Sequence, residues 1–161
     1  MHLLYLKEFH MKVHMKHERT YIFENTVFRK QNEQAQAIFS GAGQMEIGAA
    51  VEFGGNGKNL NPEEMFVAAI NSCLMNTFFY FTQKYKIEIS SYNSQASGRL
   101  EKQSDGFRFT GVYVRAKIEI SDDKDSDKIQ EAGKLAEKYC LISRSISCEV
   151  NYKLEILNRH I

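Results

Sequence analysis

The sequence predicts an α+β fold, because strand and helix patterns occupy separate stretches of the chain instead of alternating regularly. A β-region comes first, a long apolar helix pattern lies in the middle, and two strand patterns joined by an Asp-Gly turn follow it. With 161 residues and 43% hydrophobic content, the chain can bury a substantial core. We predict a single domain over residues 1–161, since the sequence shows no internal repeat, low-complexity tract or domain boundary.

The N-terminal part of the chain is predicted to be β-structure. Residues 20–28 and 36–39 have the composition of strands, and a polar loop at residues 29–34 separates them. A glycine-rich stretch at residues 41–57 follows, and no strand is predicted within it.

The central helix has a clear start signal. Asn61 is a good N-cap, Pro62 fits the first helical position, and Glu64 completes a capping-box pattern. Residues 65–81 are apolar nearly all the way round the helix, which predicts a buried core element. A membrane span is less favoured, because polar residues such as Asn71 interrupt a run that falls short of the ~20 apolar residues a bilayer needs.

Two strands are predicted after this helix, at residues 87–100 and 107–120. Asp105 and Gly106 lie between them and form a strong turn signal, so the two strands should pair as an antiparallel hairpin.

A second helix and a last strand complete the pattern. After an acidic loop at residues 121–127, residues 128–139 place their apolar side chains on one face, as in an amphipathic helix. Residues 147–156 alternate apolar and polar side chains, as in a half-buried strand. Cys148 lies on the apolar side of this strand and is predicted to be a core residue, because free cysteine behaves as a small hydrophobe.

Charge and targeting signals favour no particular macromolecular partner. The net charge of +1 indicates neither nucleic acid nor an anionic membrane. Residues 1–17 lack the continuous apolar region of a signal peptide, so a cytoplasmic location is expected. In a reducing compartment the three cysteines are more often catalytic, redox-sensing or buried than structurally bridged.

Two of the cysteines make redox chemistry the leading question. Cys73 lies deep inside the apolar helix, too far from its N-terminus for the helix dipole to stabilise a thiolate. Cys140 lies at the end of the second helix, before Ser143, where the backbone can turn and a thiol can move.

These residues resemble the OsmC/Ohr family of thiol-dependent peroxidases. The resemblance rests on Asn-Pro-Glu-Glu at residues 61–64, on Asn71-Ser72-Cys73 in the helix that follows, and on Cys140-x-x-Ser143 before the last strand. It covers roughly residues 21–157. It implies an intertwined α+β homodimer, with antiparallel sheets around a long buried central helix and active sites at the subunit interface. It also implies reduction of organic hydroperoxides, with regeneration by an external dithiol, for example of lipoyl type.

The resemblance assigns roles to four residues. Cys73 would be the peroxidatic thiol and Cys140 the resolving thiol. Glu63 would be the acidic partner of an arginine from the loop between the first two strands, and Arg29 occupies such a loop here. The chain departs from the family pattern at Leu141, where a proline usually follows the second cysteine.

The chemistry agrees with this set of residues. A thiolate that attacks a peroxide becomes a sulfenic acid, and a second thiol captures it as a disulfide, so no metal or organic cofactor is required. Apolar surroundings raise the pKa of a thiol unless a cation offsets the desolvation, which Arg29 would do. Glu63 and Cys73 lie ~15 Å apart along the helix axis, so a shared site needs long reach or a second subunit.

Other interpretations stay open on the sequence alone. Hot-dog thioesterases share the long helix and sheet, but they usually need a catalytic carboxylate near the helix and lack paired cysteines. A non-enzymatic module that binds a hydrophobic ligand is the second alternative, and the absence of the proline at Leu141 favours it. Glu63 would complement the helix dipole even without a catalytic role.

A histidine-rich segment is the remaining candidate for a ligand site. His10, His14 and His17 would share one face if their segment were helical, as in a zinc or copper site. No metal is predicted, because no cysteine or carboxylate completes the set.

Overall fold

The computed structural model describes residues 20–120 and 123–158. The described elements, in chain order, are β1 (Asn25–Phe28), β2 (Ala35–Phe39), β3 (Gly43–Ile47), α1 (Pro62–Lys84), β4 (Ser91–Gln103), β5 (Gly106–Ile120), α2 (Ser126–Tyr139) and β6 (Glu149–Asn158). Short 3₁₀ turns occur at Val51–Phe53, Asp123–Asp125 and Ser143–Ser145. The predicted α+β class is confirmed.

The strands form two three-stranded sheets. The first has the order β1-β2-β3 and is antiparallel throughout. The second has the order β4-β5-β6, and its β4–β5 pair is the antiparallel hairpin that the Asp-Gly turn predicts. β6 pairs with β5 in parallel, so this sheet is mixed. A parallel connection needs a long crossover, and α2 supplies it.

Several strand limits differ from the sequence prediction. β3 lies inside the glycine-rich stretch, where pairing with β2 creates a strand that the local pattern does not indicate. β1 starts at Asn25 rather than at residue 20. β4 starts at Ser91 rather than at residue 87, because the Ile87 N–H still bonds to the Thr82 carbonyl and the chain is leaving the helix there. The histidines at 10, 14 and 17 lie outside the described residues.

Within one chain, α1 is buried along one face only, although its sequence is apolar nearly all the way round. The buried side chains recur every four residues: Ile70, Leu74, Phe78 and Thr82. The first three pack in clusters with residues of the second sheet. On the opposite side Tyr80 is 61% exposed. In the described part of the chain, α1 is the one helix whose length and composition would allow it to span a membrane. Its packed face is that of a core helix in an α+β fold.

A chain of half-buried polar groups links α1 to the second sheet. The hydroxyls of Tyr152 and Tyr92 lie 3.0 Å apart, and the Ser94 hydroxyl, on the same face of β4 as Tyr92, donates to Asn71 Oδ1 at 2.8 Å. Burial raises the pKa of both tyrosines, so their hydroxyls stay neutral donors and acceptors. Because Asn71 is on α1, its bond to Ser94 adds to the packed face in setting the rotation of the helix.

Candidate active site

The start of α1 has the cap that the sequence predicts. Asn61 Oδ1 accepts a hydrogen bond from the Glu64 N–H at 2.7 Å, and Pro62 is the first helical residue. This cap fixes the start of the helix, and Cys73 follows three turns later beside the buried Leu74.

The two candidate redox cysteines meet in space. Cys140 is the C-cap residue of α2, is 0% exposed, and packs in a cluster with Ile70 and Leu74 of α1. Cys73 is half-buried and packs against the same cluster, with its side chain close enough to Cys140 to raise the pKa of the Cys140 thiol. Both thiols are free, so the site is in its reduced form.

Ser143 completes the surroundings of the Cys140 sulfur. Its hydroxyl donates to Cys140 Sγ at 3.1 Å, and its backbone N–H lies 3.4 Å from the same sulfur. Burial raises the pKa of the Cys140 thiol, contact with Cys73 raises it further, and the two Ser143 donors oppose this rise. No role for Ser143 was predicted from the sequence. The signal was the Cys-x-x-Ser spacing just after a helix, from which a hydroxyl can reach back by three residues.

Cys73 opens onto a cavity of about 1160 Å³ between the two helices. The cavity is bounded mainly by apolar and aromatic side chains: Phe23, Ala69, Tyr80, Phe81, Leu135, Tyr139, Leu141 and Ile142. Leu141, next to the buried Cys140, is itself 72% exposed. The space beside the Cys73 thiol therefore suits an apolar molecule rather than a small hydrophilic one.

Glu63 lies elsewhere, in a second cavity of about 740 Å³. Its Oε2 atom is buried and has no hydrogen-bond partner within the residues that the structure describes. Burying a carboxylate oxygen without a hydrogen-bond donor costs free energy. The position of Glu63 therefore fits a donor that the described part of one chain does not provide. Glu63 and Cys73 line different cavities of the same chain.

Arg29 is in the loop between β1 and β2, as the sequence predicts. It is exposed and forms no ion pair with any part of residues 20–120 or 123–158. It does not line the cavity at Cys73. One chain therefore brings Cys73 and Cys140 together but leaves Glu63 and Arg29 apart from them.

The remaining predictions concern Cys148 and metals. Cys148 is half-buried just before β6 and packs against the cluster that holds Cys140, in agreement with its predicted core role. Among the described residues, no group of three or more His, Cys, Asp or Glu side chains is placed to hold a metal ion.

The part of the chain that carries the two cysteines and Glu63 is similar to known proteins. The family model described as "OsmC-like protein" matches residues 55–155, from just before α1 almost to the end of β6. The chain belongs to the OsmC-like family. The match includes Glu63, Cys73 and Cys140, whereas Arg29 lies before it.

Relatives of this OsmC-like chain include proteins with and without a known role. It is 27% identical to the uncharacterised protein YmaD of Bacillus subtilis over 107 residues, which are 65% of this chain and 71% of that protein. It is 28% identical to the organic hydroperoxide resistance protein OhrB of Bacillus subtilis over 96 residues, 60% of this chain and 68% of OhrB.

A solved structure confirms the fold. An OsmC-like protein of unknown function from Vibrio cholerae superposes with a TM-score of 0.76 at 23% identity, covering 84% of this chain and 100% of that one. At this identity the likeness establishes the OsmC-like fold rather than an activity.

Proposed function

We propose that this OsmC-like chain is a thiol-dependent peroxidase that reduces organic hydroperoxides, with Cys73 as the attacking thiol and Cys140 as the resolving thiol. The observation that carries the proposal is the packing of two free cysteines in one cluster, with Cys73 at the wall of an apolar cavity. The kinship with an organic hydroperoxide resistance protein supports the same reaction class.

The reaction needs only the two cysteines and an external dithiol. The Cys73 thiolate attacks the terminal peroxide oxygen, the O–O bond breaks, and the alcohol leaves with a proton, which converts Cys73 to a sulfenic acid. The Cys140 thiol then attacks the Cys73 sulfur, water leaves, and a Cys73–Cys140 disulfide forms. Two further exchange steps with a dithiol, such as one of lipoyl type, return both cysteines to thiols. No metal or organic cofactor takes part.

The cavity favours substrates with an apolar organic group. Tyr80 and Tyr139 contribute aromatic surface, and Leu141 and Ile142 contribute aliphatic surface next to the thiols. Such walls gain free energy by burying a hydrocarbon group, which hydrogen peroxide lacks. We therefore expect cumene or lipid hydroperoxides to react better than hydrogen peroxide.

We further propose that the working form is a homodimer in the cytoplasm, where cellular dithiols keep cysteines reduced. Glu63 has a buried oxygen that needs a donor, and α1 has an uncovered face carrying Tyr80. Arg29 is an exposed cation that pairs with no carboxylate of the described residues. A second copy would cover part of that face of α1 and form the outer wall of the cavity beside Cys73. It would also let Arg29 and Glu63 of one subunit complete the site around Cys73 of the other, where the arginine would stabilise the thiolate.

The direct test is mass spectrometry of the reduced protein after one equivalent of cumene hydroperoxide. We expect a Cys73–Cys140 disulfide in the wild type. In Cys140→Ser, Cys73 should stop at the sulfenic acid, trapped by dimedone, because the resolving thiol is missing. Unmodified thiols after excess peroxide would contradict the peroxidase.

A subunit-mixing experiment tests the shared site. Cys73→Ser and Arg29→Ala proteins, each nearly inactive alone, would be coexpressed with different affinity tags. If each site takes Cys73 and Arg29 from different chains, every mixed dimer holds one complete site, so random mixing should restore about a quarter of wild-type activity. If both groups come from one chain, each variant chain lacks one of them and the mixture stays inactive.

A hydrophobic-ligand-binding protein without peroxidase activity is the second candidate. The large apolar cavity favours it, as does burial of Cys140, which raises the pKa of that thiol. Tight binding of a fluorescent fatty acid by a protein whose thiols resist peroxide would support this candidate instead.

A further inference from the structure

We propose that the reductant attacks the Cys73 sulfur of the Cys73–Cys140 disulfide, and that Cys140 leaves as a thiolate which Ser143 stabilises. The inference rests on the proposed function insofar as the disulfide is part of the catalytic cycle. It adds the sulfur that receives the reductant and a role for Ser143, neither of which follows from the peroxidase reaction itself.

Access to the two sulfurs differs. Cys140 is 0% exposed, enclosed between α1, β5 and the loop after α2. Cys73 is half-buried and lines the open cavity of about 1160 Å³. In thiol–disulfide exchange the attacking thiolate must approach the sulfur it bonds to, so the reachable sulfur is that of Cys73.

The hydrogen-bond donors around the two sulfurs also differ. Cys140 Sγ receives the Ser143 hydroxyl at 3.1 Å and faces the Ser143 N–H at 3.4 Å. Within the described residues, no hydroxyl or backbone N–H donates to the Cys73 sulfur, and Thr77 bonds only to the Cys73 carbonyl. Donors aimed at a sulfur stabilise its thiolate, and the better-stabilised thiolate is the faster leaving group.

The loop that carries Ser143 is closed without the proline that its family usually has after this cysteine. The Arg144 N–H donates to the Cys140 carbonyl at 3.1 Å, and the Ser145 hydroxyl donates to the Leu141 carbonyl at 2.8 Å. These bonds shape a short turn that holds both Ser143 donors over the sulfur. These side-chain and backbone hydrogen bonds constrain the turn in place of a proline. Cys140 therefore keeps its Ser143 donors although residue 141 is leucine.

The step balances as an ordinary exchange. A reductant thiolate bonds to Cys73 Sγ, the Cys73–Cys140 bond breaks, and its electron pair goes to Cys140 Sγ under the two Ser143 donors. A second reductant thiolate then attacks the reductant sulfur of the mixed disulfide. This attack releases Cys73 as a thiolate and leaves the reductant oxidised to its disulfide.

The test uses the full chain with the Cys148→Ser substitution, oxidised with diamide so that no peroxidase activity is needed. The disulfide is opened with 2-mercaptoethanol. The exchange reaction is stopped at short times with N-ethylmaleimide, which labels the released thiol. Peptide mass spectrometry then assigns both positions. We expect the mercaptoethanol adduct on Cys73 and the maleimide on Cys140. An adduct mainly on Cys140, or no Cys73–Cys140 disulfide with diamide, would overturn the proposal.

The Ser143 part is tested by the rate of opening. Ser143→Ala should open roughly tenfold more slowly, because a hydrogen bond to the leaving anion is lost, and Ser143→Thr should recover most of the rate. Ser145→Ala is the matched control, since its hydroxyl bonds to the Leu141 carbonyl in the same turn but not to Cys140. Equal rates for Ser143→Ala and Ser145→Ala would overturn the role of Ser143. A protein that forms the disulfide with diamide but never with hydroperoxide would contradict only the proposed function.

Discussion

Replacing Cys73 with serine is expected to lower kcat/KM for cumene hydroperoxide by at least about 10³-fold, because it removes the attacking nucleophile. A serine hydroxyl is a far weaker nucleophile than a thiolate at neutral pH, and it cannot form a disulfide with Cys140. The exchange changes one atom at a half-buried position, so the fold should persist. The activity is measured as hydroperoxide consumption coupled to a dithiol.

Cys148→Ser is the matched control for this experiment. Cys148 is also half-buried and packs against the same cluster, yet it is absent from the walls of the cavity beside Cys73. We expect it to keep wild-type activity. Equal losses in both variants would indicate a general effect of altering the cluster, and an active Cys73→Ser protein would exclude Cys73 as the nucleophile.

The second large effect concerns stability. Phe78→Ala is expected to lower the free energy of unfolding by about 3–5 kcal/mol, because it leaves a cavity that the packed core cannot fill. Phe78 is 0% exposed and lies where α1, β5 and α2 meet, in one cluster with Ile118 and Ile129. Its ring also contacts Tyr92, with centroids 5.6 Å apart. The total free energy of unfolding of a small domain is about 5–15 kcal/mol, so the expected loss is a large fraction of it.

Phe107→Ala provides the same chemical change at an exposed site. Phe107 is 60% exposed near the turn of the β4–β5 hairpin, so its loss should cost about 1 kcal/mol or less. Both variants would be unfolded with urea at one protein concentration, to keep any association constant. Similar losses at the two positions would contradict the burial of α1 against the second sheet.

Local interactions explain which parts of the fold could be predicted. The Asn61 cap, the first helical position of Pro62 and the Asp-Gly hairpin turn each depend on residues within about four positions of one another. The long helix, the hairpin, the second helix and the last strand were therefore recognisable. The strand β3 was not, because its pairing with β2 rather than its own sequence makes it a strand.

The candidate site, too, could be predicted only in part from the sequence. The residue types and the Cys-x-x-Ser spacing singled out Cys73 and Cys140 from the sequence. The packing of both cysteines in one cluster, the Ser143 donors on Cys140 and the separate cavity of Glu63 became visible only in the folded chain. Side chains far apart in sequence meet only when helices and sheets pack, and a sequence pattern does not specify that packing.

The sequence by itself determined the α+β class, the capped helix that carries Cys73 and the second helix that ends at Cys140. Only the tertiary structure decided which face of α1 is buried, that β6 runs parallel to β5, and that the two cysteines lie side by side. The reason is physical. Helix starts and tight turns depend on hydrogen bonds and dihedral angles of neighbouring residues, whereas burial and the geometry of a site depend on contacts that the whole fold creates.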